Sequence, residues 1–70
     1  MSLMRTFLET KDDLEWLEDT HNIPGASNFA CAILFGNEDS PTRVELFERN
    51  HVDCVPVVFV ADSDGEFKRQ

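Results

Sequence analysis

The 70-residue sequence predicts a small α/β fold: a sheet with a parallel strand pair, a C-terminal β-hairpin and about two helices packed on it. Three observations carry this. "FACAILF" and "VPVVFVA" are apolar runs of strand length, the second rich in β-branched residues. "TKDDLEWLEDT" and "SPTRVELFERN" each begin with helix-start chemistry and space their apolar residues three apart. "DSDGE" supplies a turn between the last apolar run and a short charged tail. A strand, a helix and a second strand in succession favour a right-handed parallel crossover.

Taken in order, "MRTFLET" is either a short strand or a lead-in to the helix that follows. Thr10 offers an N-cap, Asp13 lies three residues on as a weak capping-box partner, and Asp12 and Asp13 suit the helix dipole. Leu14 and Leu17 then share a face with Trp16 beside them, which predicts an amphipathic helix over 11–20. Pro24 and Gly25 end that segment. "FACAILFG", from Phe29 to Gly36, is apolar at successive positions and predicts a strand buried on both faces. Ser40 as N-cap and Pro41 at the first helical position predict a second helix, with Val44 and Phe47 on its inner face. Pro56 heads a strand over Val57–Ala61, "SDG" at 63–65 closes a tight primed turn, and 66–69 return as an edge strand guarded by Lys68 and Arg69. No linker, repeat or low-complexity tract divides the chain, so residues 1–70 read as a single domain.

Size and charge narrow the function. A domain this small buries only roughly 60% of the surface its unfolded chain exposes, so a partner subunit is expected to help complete the core. The formal net charge of −8, from 14 acids against 6 Lys plus Arg, argues against nucleic acid or an anionic membrane as partner. The acids crowd into Glu9–Asp19, a solvated helix face that could also meet a basic partner or imitate DNA. The apolar runs are too short to span a bilayer and no secretory signal develops after "LMRTFLETKDD". Two cysteines make neither a disulfide framework nor a zinc motif, which points to a cytoplasmic protein with free thiols and no metal or cofactor.

The stretch "VDCVPVVFVADSDGEF" resembles the C-terminal half of the thioredoxin family. There, two apolar positions precede a proline, and an apolar strand and a Gly-bearing hairpin follow; Val52, Val55, Pro56, Val57–Val60 and Gly65 match in order. Upstream, "ILFGNEDSPTRVELFERN" is similar to the family's strand, Asp/Asn-Pro loop and helix. A second register sets "FACAILFGNEDSP" where the active-site strand would be. In either register the CxxC dithiol is missing, and so is the helix expected after the hairpin. The resemblance implies a thioredoxin-like fold and a cis Val55–Pro56 bond that opens the backbone at Val55 to an extended peptide.

The expected function is therefore a non-redox thioredoxin-like protein-binding module. Its surface would comprise Cys54, Val55 and Pro56, joined by the loop residues Asn37, Asp39 and Ser40 where that loop lies nearby, and its mechanism would be β-strand addition. A homodimer is expected to complete the missing helix layer. One alternative is a single-cysteine thiol–disulfide or glutathione-linked oxidoreductase using Cys54, although no cation or helix N-terminus stands beside it in the sequence. Another is an acidic interaction protein binding a basic partner through helix 9–19. Cys31 is expected to be buried in the core, and His21 and His51 to be helix-end residues. No complete catalytic constellation is present, which weighs against an enzyme.

Overall fold

A computed structural model describes residues 4–49 and 55–70. These residues form β1 (Arg5–Leu8), α1 (Lys11–Thr20), a 3-10 turn at Ala26–Asn28, β2 (Cys31–Asn37), β3 (Ser40–Phe47), β4 (Val57–Ala61) and β5 (Phe67–Arg69). The five strands make one sheet in sequence order, each antiparallel to its neighbours. The architecture is therefore mostly β, with one α-helix among the described residues, and the expected α/β fold with a parallel pair and two helices is not formed. The thioredoxin-like reading falls with it. No peptide bond among the described residues is cis, so the Val55–Pro56 bond is trans and Pro56 simply leads into β4.

The first helix follows its sequence signals. The Thr10 hydroxyl accepts a hydrogen bond from the Asp13 amide at 3.1 Å, and Asp12 and Asp13 occupy the first turn. Leu14 and Leu17 are buried on one side and Trp16 packs at the margin of the core. The helix stops at His21, and Gly25, at φ 79°, begins the 3-10 turn that brings the chain to β2.

The second expected helix is instead the central strand β3, because its apolar residues satisfy two periods at once. Val44 and Phe47 match a helical spacing, whereas Val44 and Leu46 match the two-residue repeat of a strand. Leu34 and Phe59 lie opposite Val44, and Ala32 and Val57 lie opposite Leu46, on the two flanking strands. Val44 and Leu46 are fully buried, so the long-range partners decide in favour of the strand. Pro41 is tolerated because β4 reaches only Arg43–Leu46, which leaves the first residues of β3 outside that ladder. A register shift at Phe35/Gly36 gives β3 an extra residue beside the β2–β3 turn. Gly36 sits there at φ 98°, and a Cβ would lie 3.2 Å from the Thr42 amide nitrogen.

The last hairpin forms where the sequence places it, with a different turn. Asp62 Oδ1 accepts from the amides of Asp64 and Glu66, while the Gly65 amide donates to the Asp62 carbonyl at 3.0 Å. Only Gly65 in this loop has a positive φ, 82°. The loop is thus a common turn followed by a left-handed glycine, not the primed turn expected from "SDG".

All the fully buried side chains lie on the helix side of the sheet. Leu8, Ala32, Leu34, Val44, Leu46 and Phe59 meet Leu14, Leu17, Ile23 and Ala26, with Val57 and Phe67 packed at the edge. Each large side chain buried this way contributes about 1.5–3 kcal/mol. Leu34→Ala should cost about 2–5 kcal/mol in urea unfolding, because it opens a cavity under the helix. Gly36→Ala should also destabilise, by about 1–3 kcal/mol, since alanine there meets both a left-handed backbone and the neighbouring strand. Unchanged unfolding midpoints for these two variants would contradict the core and the bulge as described.

Candidate functional site

Because strand side chains alternate, the residues between the core positions must project from the other face. That face carries Arg5 and Phe7 from β1, Cys31, Ile33 and Phe35 from β2, and Arg43, Glu45 and Phe47 from β3. Val58, Val60 and Lys68 complete it from β4 and β5. No described helix or loop covers it. Two cross-strand rows give it its character. Arg5, Phe35, Arg43, Val60 and Lys68 form one row, and Phe7, Ile33, Glu45 and Val58 form the next.

The face is apolar and mildly cationic, in a chain that is strongly acidic overall. Its charged members are Arg5, Arg43 and Lys68 against the single carboxylate of Glu45. Arg43 donates to Glu45 Oε2 at 2.8 Å and stacks its guanidinium 5.9 Å from the Phe35 ring centroid. With its guanidinium over the Phe35 ring, Arg43 sets its aliphatic stem beside the apolar surface. Lys68 sits 4.0 Å from Asp62 at the far edge.

At one end of this face lies a groove of about 250 Å³ lined by Phe7, Cys31, Ile33, Phe47, Glu48, Arg49 and Val55. Phe7 is 65% exposed and Val55 63%, unusually open for large apolar side chains. The groove is of a size to take one or two apolar side chains rather than to enclose a cofactor.

The sequence-predicted site residues are only partly brought together. Val55 and Pro56 stand at this end of the sheet, since Val57 pairs with Leu46. Asn37, Asp39 and Ser40 form the β2–β3 turn at the opposite end of the same strands, where Asn37 Oδ1 accepts from the Asp39 amide at 3.0 Å. Six residues of strand separate Cys31 from Asn37, about 20 Å at the usual rise, so that turn is not part of the Val55 surface. Cys54 and His51 lie outside the described residues. Cys31, expected in the core, is only half-buried and lines the groove. Phe7 and Ile33 are not singled out from the sequence, and Phe47 is expected there on the inner face of a helix. The signal for Ile33 is the run of apolar residues at successive strand positions in β2, which suits either a doubly covered strand or a strand with one face left bare.

Other features carry less. His21 lies against Trp16, with ring centroids 4.8 Å apart, and faces Phe67 at 6.1 Å. Glu18 is occupied by Ser27, whose hydroxyl donates to Oε1 at 3.0 Å. Among the described residues no three His, Cys, Asp or Glu side chains gather as a metal site. No helix among them is long and apolar enough to cross a membrane. Compared with family models, with curated proteins and with solved structures, the chain finds no match.

Phe7→Ser and Val55→Ser should each change the unfolding free energy by no more than about 0.5 kcal/mol, as expected of side chains outside the core. A loss of about 2 kcal/mol or more in urea titration would mean that these residues support the fold instead of presenting a surface.

Proposed function

We propose that the chain is a non-catalytic protein-interaction domain that docks a partner on its uncovered sheet face. The observation that carries this is the concentration of Phe7, Ile33, Phe35, Phe47, Val55 and Val58 on a surface that no other described residues cover. Apolar area of that extent is costly to leave in water, at about 25 cal/mol per Å², and a partner that covers it recovers this free energy. The occupant is an extended apolar segment flanked by carboxylates. Its apolar side chains fill the groove beside Val55, and its acids meet Arg5, Arg43 and Lys68. Val55 remains part of the surface as one wall of the groove, and Pro56 follows it into β4. The proposed compartment is the cytoplasm, on the strength of two cysteines without a disulfide framework.

A second surface is the acidic side of α1, where Asp12, Glu15 and Asp19 are exposed. It suits a basic partner, and binding there would fall steeply as salt screens the charges. The oxidoreductase alternative rests on Cys54 alone, and Cys54→Ser with unchanged thiol-transfer activity would end it.

The test is fluorescence titration with a labelled apolar hexapeptide carrying glutamates at both ends, against the same peptide with lysines. The acidic version should bind at least tenfold more tightly, and Val55→Asp should weaken it about tenfold, the equivalent of 1.4 kcal/mol. Equal binding of the two peptides, or none of either, would defeat the proposal. Binding of the lysine version alone would shift the function to the helix surface.

A further inference from the structure

Among the described residues no strand pairs the outer edge of β1; that edge is self-complementary, and we propose that two copies of this chain pair there, antiparallel about Phe7, to form one continuous ten-stranded sheet. The backbone sets the parity. The Met4 carbonyl accepts from the Gly36 amide at 2.9 Å, and Thr6 and Leu8 lie opposite Leu34 and Ala32 on β2. In an antiparallel ladder the groups that face the neighbour alternate along the strand. The N–H and C=O of Arg5 and Phe7 therefore point away from β2, toward the open edge. Pairing that lengthens β1 by one residue puts Glu9 in the same phase, and Thr10 beyond it is already extended, at φ −86° and ψ 153°.

A two-fold axis through Phe7 makes these odd-numbered residues meet one another. Phe7 faces Phe7 of the second copy, Arg5 faces its Glu9, and Glu9 faces its Arg5. All three are hydrogen-bonded pairs, which gives about six new backbone bonds. Their side chains complement each other as well. The two Phe7 rings, each 65% exposed in one copy, come within stacking range on the uncovered face. Arg5 and Glu9 are both exposed, and among the described residues neither forms an ion pair. Opposite charges across strands stabilise this register, whereas shifting it by two residues would remove both ion pairs.

The other edge does not offer this. β5 is only three residues long and carries Lys68 and Arg69, the kind of charged residues that discourage pairing at a sheet edge. β1 has no such guard. Its pairing also leaves the grooves of the two copies on the same side of the extended sheet. Pairing shares Arg5 and Phe7 with peptide docking, but the edge backbone and Glu9 belong to pairing alone, so E9R separates the two.

Sedimentation equilibrium on the full chain tests it through charge reversal. The unmodified protein should dimerise in the micromolar-to-millimolar range. R5E and E9R should each weaken association at least tenfold, since each sets like charges opposite one another. An equimolar mixture of the two variants should restore it as a heterodimer, because every opposed pair is again of opposite sign. Circular dichroism confirms that each variant is folded, and recovery in the mixture excludes misfolding as the cause of the loss. Phe7→Pro, which removes an outward amide, should also give a monomer. A protein that stays monomeric at millimolar concentration overturns the proposal. So does a dimer indifferent to R5E and E9R, or a mixture that fails to associate.

Discussion

One α-helix has to cover five strands, and everything else in the described structure follows from that shortage. Leu14 and Leu17 seal one face of the sheet with help from Ile23 and Ala26, and the core they enclose is apolar and continuous. Among the described residues nothing comparable stands on the other side. The alternation of a β-strand then forces each residue between two core positions onto a bare surface. In this sequence those intervening residues are largely aromatic or aliphatic. A fold that needed only solubility would place polar residues there, as one-sided antiparallel sheets ordinarily do.

The charges are sorted by the same geometry. The chain as a whole carries an excess of acids, yet the uncovered face holds three cations and one carboxylate. The acids of α1 look away from the sheet, while Arg43 is laid over Phe35 and tied to Glu45. Apolar surface, weak positive charge and an unguarded strand edge thus meet around Phe7, which is at once a wall of the groove and the centre of β1. That coincidence is why both the docking proposal and the pairing proposal converge on one strand, the first through side chains of the sheet face and the second through the edge backbone together with Arg5 and Glu9.

Much of the local structure was legible in the sequence. Thr10, Asp13 and the Leu14–Leu17 spacing specify α1, and Pro56, Val57–Ala61 and Gly65 specify the last hairpin, because these signals act within a few residues. What was not legible depends on contacts distant along the chain. Ser40, Pro41, Val44 and Phe47 spell a helix locally, and only Leu34 and Phe59 across the sheet make them a strand. The topology was lost with that one element, since replacing a helix by a strand turns a parallel crossover into a meander and removes the likeness to thioredoxin. The site was hidden for a related reason. Cys31, Ile33 and Phe35 look like core residues in the sequence, and whether such a strand is covered once or twice depends on how many helices exist to cover it.

The central claim is that the second face of the sheet is open. It is tested most directly by nuclear magnetic resonance, measuring how strongly a soluble gadolinium chelate relaxes side-chain methyl groups. The methyls of Ile33, Val58 and Val60 should be relaxed much more strongly than those of Leu34, Val44 and Leu46, although the two sets alternate along the same strands. Equal protection of both sets would mean that the sheet is covered on each side, and would contradict an open docking face.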